Sequence, residues 1–206
     1  MKDSAQNIAK QRVLDSERGT FFFGQDFSDI ASPEAIRKVL QRLEDEQTLI
    51  RIAPGIYYYP KIDTQYGLGV LYPSMLDIAE AISRRDKTTI VPTGAYALNM
   101  LGLSTQVPAK WTFVSDGPYK KYNINGIQLE FKHRANRNIS GMSPKTLLVI
   151  HALKSLTAEQ TTPEVLEKIK SRLTHSEKKK LQEEAIYISR RNLLSIRKIC
   201  EDTCTP

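Results

Sequence analysis

The stretch "SPEAIRKVLQRLEDEQTLIRIAPGIYYYPK", residues 32–61, constrains the fold of this chain more than any other. Ser32 offers a hydroxyl to the open N–H groups of a helix start, and Pro33 brings a φ already set for the first turn. In the helix that begins at Pro33, Ile36, Val39, Leu40 and Leu43 share one stripe at about 100° per residue, a face that needs a core. Glu34, Lys38, Gln41 and Asp45 lie opposite, with Arg37 and Arg42 on the shoulders. Pro54 and Gly55 fit the first and second central positions of a turn, so "LIRIAPGIYYY" folds back as two strands.

The segment in front of this unit completes a pattern. "SAQNIAKQRVLDSE" reads as a first amphipathic helix, with Ala5, Ile8, Ala9, Val13 and Leu14 near one stripe and Gly19 ending it. The three Phe of "RGTFFFGQDF" make a short apolar strand, and "GQDFSDIA" fits a short second helix. Helix, short strand, helix, helix, hairpin is the order of a winged helix-turn-helix. In that arrangement the third helix enters a major groove and the wing lies against the sugar-phosphate backbone. Base contacts would then come from the N-terminal half of the helix, ahead of the acidic run Glu44-Asp45-Glu46. The competing reading is a solvated helix face or a protein-binding module, because residues 1–60 hold 8 Lys/Arg against 9 Asp/Glu.

The expected organisation is α+β, a winged helix-turn-helix over 1–62 followed by a basic mixed α/β domain over 63–206. "KIDTQYGLGVLYPS" reads as a linker. Ser74 and Asp77 form a capping box that opens a helix running to about Ser83, with Met75, Ile78, Ala79 and Ile82 on its apolar side. "TTIVP" and "WTFVS" read as strands and "TGAYALNMLGL" as a small-residue helix. Asn125-Gly126 is a strong two-residue hairpin signal. Alternation beyond it sends Ile127, Leu129 and Phe131 inward and Gln128, Glu130 and Lys132 outward. The chain then turns helical: "KTLLVIHALKSL", a helix capped by Thr162-Pro163, and one long helix from about Ser176 to Ile199.

The net charge of +7 and pI near 9.3 favour an anionic partner. Residues 61–206 carry the surplus, with 22 Lys/Arg against 14 Asp/Glu. Lys120, Lys121, Lys132, His133, Arg134 and Arg137 gather around the hairpin, interleaved with Tyr119 and Tyr122. Such a mixture suits nucleic acid, and it also covers many hairpin edges. "HSEKKKLQ", "ISRRN" and "IRK" make the C-terminal helix basic, which fits either a solvated face or an accessory phosphate contact.

Catalytic signals are sparse. Asp116, Glu130 and Lys132 match the loose acid, acid-x-Lys pattern of metal-dependent nucleases. That motif is short, and the alternation places Glu130 and Lys132 on the solvent side. No Ser/His/Asp set, phosphate-binding Gly loop or His/Cys ligand cluster stands in the sequence, so no enzyme, cofactor or metal is expected. Cys200 and Cys204 read as reduced thiols. No apolar run is long enough to cross a bilayer, and the polar N-terminus lacks a signal-peptide core, which points to the cytoplasm.

At "GIYYYPKID", "EAISRRDKTTIVPTGAYALNMLGLSTQVP" and "VSDGPYKKYNINGIQLEFKHR" the chain resembles the AbiEi-type antitoxins of abortive-infection (type IV) toxin-antitoxin systems. The likeness covers roughly residues 5–160 and is most specific at "IVPTGAYALN" and "LGLSTQVP". It implies a transcriptional autorepressor that binds inverted repeats in its own promoter, and a nucleotidyltransferase toxin as functional partner. By position, Arg37, Lys38 and Gln41 would be base readers and Arg51 a wing contact, with Ser32, Glu34 and Arg42 on the same surface. The second domain would neutralise the toxin and support repression. Thr93-Gly94-Ala95-Tyr96 would be a structural hallmark, and Glu130 belongs to no motif of that family. The alternatives are a stand-alone winged-helix regulator or the nuclease built on Asp116, Glu130 and Lys132.

Overall fold

Ser32 Oγ accepts the Ala35 N–H at 3.4 Å, and Pro33 opens a 13-residue helix, α2 (Pro33–Asp45). The computed structural model describes residues 4–134, 141–185 and 188–201, and the fold is α+β. The chain divides into two units, Met1–Arg85 and Asp86–Pro206.

In the first unit, α1 (Ala5–Leu14) precedes β1 (Phe21–Phe22), a 3₁₀ turn (Gly24–Phe27) and α2. The strands β2 (Ile50–Ala53) and β3 (Ile56–Tyr58) follow, and the three strands pair antiparallel in the order β1-β3-β2. Gly55, at φ +75°, turns β2 into β3, a conformation that a side chain at this position would resist. Ile36, Val39, Leu40 and Leu43 are buried as their spacing requires, packed with Phe22, Phe27, Leu49, Tyr57 and Tyr59.

Several local expectations change. In α1 only Ala9 and Val13 are buried, and Ile8 and Leu14 stay exposed. Gly19 does not end α1; at φ +101° it donates its N–H to Tyr59 O at 2.7 Å and aligns β1 on the sheet. The second helix is a single 3₁₀ turn, closed by Asp26 Oδ2 accepting the Phe23 N–H at 2.7 Å.

The expected linker after residue 60 is a hairpin of β4 (Lys61–Asp63) and β5 (Gly69–Leu71). The Asp63 carboxylate accepts the N–H groups of Gln65, Tyr66 and Leu68 and closes that loop, with Gly67 and Gly69 at positive φ. Helix α3 (Met75–Asp86) starts at the Ser74/Asp77 capping box. Its end is tied to the front of the chain, for the Arg85 guanidinium lies 5.0 Å from the Phe23 ring centroid and Gln25 donates to Arg85 O. The first unit runs on through this hairpin and α3 to Arg85.

The second unit holds a four-stranded sheet in the order β6-β7-β9-β8, from β6 (Ile90–Thr93), β7 (Lys110–Ser115), β8 (Lys120–Ile124) and β9 (Ile127–His133). Strands β7 and β9 are parallel and the other pairs antiparallel. Helix α4 (Gly94–Met100) leaves β6 through Gly94 at φ +63°, and Tyr96 is buried against Trp111 (centroids 4.1 Å apart) and Phe113 (5.7 Å). The "TGAY" block is thus a packing element.

Helices α5 (Pro144–Ser155), α6 (Pro163–Ser171), α7 (His175–Glu184) and α8 (Arg190–Cys200) share an apolar core with α4. The long C-terminal helix expected over 176–199 is two helices. Ser189 Oγ accepts the Asn192 N–H and opens α8, competing with continuation of α7. Arg191 then donates to Leu156 O at 2.8 Å beyond the end of α5. Among the described residues no helix is long and apolar enough to cross a membrane.

Candidate nucleic-acid interface

Burial of the apolar stripe of α2 forces its other residues outward. Glu34, Arg37, Lys38, Gln41 and Arg42 are all exposed, as is Arg51 on β2. Arg37, one turn into α2, and Arg51, on the strand behind it, line the same groove of about 660 Å³. Pro33, Ile36, Leu40, Pro54 and Tyr57 form its apolar walls. Burial pushes the Tyr57 hydroxyl above its ordinary pKa, and the positive charges of Arg51 and Arg37 oppose that rise. The two guanidinium groups thus line the groove from the helix and from the hairpin.

The other expected residues divide by their partners. Ser32 is occupied as the cap, and Glu34 sits in the first turn, where a carboxylate suits the helix dipole. Gln41 Nε2 reaches Asp45 Oδ1 at 3.3 Å, a long bond that an incoming acceptor can replace. Arg42 is drawn to α1, donating to Gln6 Oε1 at 2.9 Å, while Gln6 and Lys10 both bind Glu46. Its guanidinium therefore fastens α1 to α2.

In the second unit the sheet register splits the basic cluster. Lys121 pairs with Glu130 and Lys120 with Phe131, so the two lysines point to opposite faces. Lys120 Nζ is held by Asp86 Oδ2 at 2.6 Å. Lys132 is exposed, and the exposed Arg134 donates its backbone N–H to Ser115 O. The His133 ring bonds Gly117 O. Arg137 and Cys204 lie outside the described residues, and Cys200 is partly buried, its Sγ near Lys178 O.

Glu130 is a correction. It is only 5% exposed, whereas Ile127, expected inside, is exposed. The alternation expectation gave β9 one solvent side, but β9 lies between β7 and β8 and is buried on both faces around Leu129, Glu130 and Phe131. The buried carboxylate is neutralised by Lys110 Nζ at 2.6 Å and Lys132 Nζ at 3.9 Å, and accepts from Tyr119 Oη at 2.6 Å. Lys110, then Tyr119, hold Glu130 below the usual carboxylate range against the opposing effect of burial.

Sequence reasoning missed Lys110, because no signal in one sequence announces that β7 will lie parallel to β9. Asp116 Oδ1 meanwhile accepts the Thr89 N–H at 2.8 Å. The described residues include no cluster of three His, Cys, Asp or Glu able to hold a metal ion. Of the acid, acid-x-Lys pattern, Asp116 thus holds a backbone N–H ahead of β6, and Glu130 is paired with Lys110 and Lys132.

No curated protein matches the chain. A family model does, over residues 8–181, most of the chain and parts of both units, so the protein belongs to the family of unknown function DUF6088.

Proposed function

We propose that the first unit is a winged helix-turn-helix and that the protein is a DNA-binding transcriptional autorepressor. On this reading α2 enters the major groove, Arg37, Lys38 and Gln41 read base edges, and Arg51 contacts the backbone from the hairpin. The observation that carries it is the convergence of Arg37 and Arg51 on one groove between helix and hairpin, with Lys38 and Gln41 exposed on the same helix.

The resemblance to AbiEi-type antitoxins extends the proposal to a cytoplasmic type IV toxin-antitoxin system whose partner is a nucleotidyltransferase. The exposed Lys121 and Lys132 of the second unit are the residues we assign to toxin neutralisation. Glu130 has no part in it, since its carboxylate is already taken up by Lys110 and Tyr119. No cleavage of DNA is expected with Mg²⁺ or Mn²⁺.

Gel-shift titration against the promoter region at two salt concentrations tests the first step. Lys38→Ala and Gln41→Ala are each expected to cost about 1–3 kcal/mol at the cognate site. Arg51→Ala is expected to weaken binding to all sequences and to lower the salt dependence. Unchanged binding in all three variants sinks the reading. Co-expression with a neighbouring nucleotidyltransferase gene tests the second step, where Lys121→Gln/Lys132→Gln is expected to impair rescue without loss of helical circular dichroism. Full rescue by that variant removes the second unit's basic face from the antitoxin role.

A further inference from the structure

A second groove of the first unit, about 450 Å³, collects four cations from three separate parts of the chain. Arg18 comes from the segment before β1, Lys61 from β4, and Arg84 and Arg85 from the last turn of α3. Gly19, Phe21, Phe23 and Ala81 supply its uncharged lining. Arg18 is steadied by the Tyr59 ring (4.7 Å to its centroid) and by Pro60 O at 2.9 Å, and Arg85 is stacked over Phe23.

Gly19, at φ +101°, leaves room for the end of the Lys61 side chain, which a Cβ there would displace. Two acids also line the groove, Glu17 and Asp26, and the Asp26 carboxylate already accepts the Phe23 N–H. Asp77 and Glu80 line the adjoining hollow with Lys61 and Arg84, and Asp77 is occupied at the Ser74 cap. Within the groove itself four cations face two acids, and it is open and polar, which suits a phosphate better than an apolar ligand.

Its position says which phosphate. Gln25 lines both this groove and the one between α2 and the hairpin, so both grooves border the same 3₁₀ turn. A long polyanion lying on α2 can run on into it. Residues 61–85 add Lys61, Arg84 and Arg85 alongside Asp63, Asp77 and Glu80, so the first unit stays near-neutral while three of its cations gather in this groove.

We propose that Arg18, Lys61, Arg84 and Arg85 form a binding site for backbone phosphates of duplex DNA flanking the segment read by α2. This rests on the winged-helix reading of the same unit. The site acts on all sequences alike and supplies salt-dependent affinity.

The test is fluorescence anisotropy of the full chain with a labelled random-sequence duplex between ~50 and ~200 mM salt. Each phosphate contact removed lowers the slope of log K against log salt by about 0.9. Lys61→Gln/Arg84→Gln is therefore expected to reduce the slope by about 1–2 and to weaken binding most at low salt. Both side chains are exposed, and Arg84→Gln alone, with half the effect, serves if the double variant does not fold.

A wild-type protein that binds duplex with a slope unchanged in the variants overturns this proposal and leaves the winged-helix reading standing. A wild-type protein that binds no duplex overturns both. Inorganic pyrophosphate that raises the Tm of the wild type but not of the variant, with the duplex slope unchanged, assigns the groove to a small anion and overturns the backbone assignment.

Discussion

Lys110 Nζ and Glu130 Oε2 stand 2.6 Å apart across the two parallel strands at the centre of the four-stranded sheet. The Lys110 side chain is 46% exposed and the Glu130 side chain 7%, so the two ends of the pair have different access to water.

That asymmetry sets the first prediction. Removing Lys110 leaves a buried carboxylate with only the distant Lys132 and Tyr119, whereas removing Glu130 releases an ammonium that can be hydrated. Lys110→Met is expected to cost about 2 kcal/mol, more than Glu130→Gln costs, and the double variant is expected to recover part of the loss. Urea unfolding of the four proteins measures the cycle. A Lys110→Met variant as stable as wild type means that the pair contributes nothing.

The two sides of α2 should respond oppositely. Leu40 is buried in the first unit's core, so Leu40→Ala is expected to destabilise by about 2–5 kcal/mol. Lys38→Ala, on the exposed side, should stay within about 0.5 kcal/mol while weakening operator binding. Thermal unfolding beside gel shifts separates the effects, and equal loss of stability in both variants contradicts the orientation of the helix.

Glu184 at the end of α7 accepts the Ser143 N–H at 2.8 Å and the Ser143 hydroxyl at 2.9 Å, while Ser143 itself caps α5. Glu184→Ala leaves that N–H without its acceptor and is expected to cost about 1–2 kcal/mol. Hydrogen exchange should quicken first at the start of α5. Exchange that changes only within α7 argues against the coupling.

His151 on α5 is pushed down to about 4 by burial, with the positive charges of Lys154 and Arg134 adding to the effect. The folded chain therefore refuses a proton that the unfolded chain binds between about pH 6.5 and 4. Stability due to this group is complete above the unfolded value, falls with pH through that window, and is level below it. Imidazole proton shifts followed by NMR are expected to place the midpoint near 4, and His151→Leu should flatten the Tm-against-pH curve over the same range. A midpoint near 6.5 shows an imidazole open to water.

The start of α2, its buried stripe, the Pro54-Gly55 and Asn125-Gly126 turns and the Ser74/Asp77 box were all legible in the sequence. Each depends on residues within one or two turns of each other, where a hydroxyl, a fixed φ or a 3.6-residue repeat acts whatever the rest of the chain does. The exposed cations of α2 follow from the same periodicity, because burying one side of a helix exposes the other. The surplus of positive charge, too, is a property of composition alone.

Long-range contacts decided the rest. Whether Glu130 faces water depends on β9 lying beside β7, which puts the ammonium of Lys110 against its carboxylate over a distance that no local pattern spans. Arg42, equal to Arg37 in its exposure along the helix, is taken by Gln6 from α1. The end of α3 meets the front of the chain through Arg85, which lies over the Phe23 ring and whose carbonyl accepts from Gln25. Charges distant in sequence become one groove only when the backbone brings them together, as it does for Arg18, Lys61, Arg84 and Arg85.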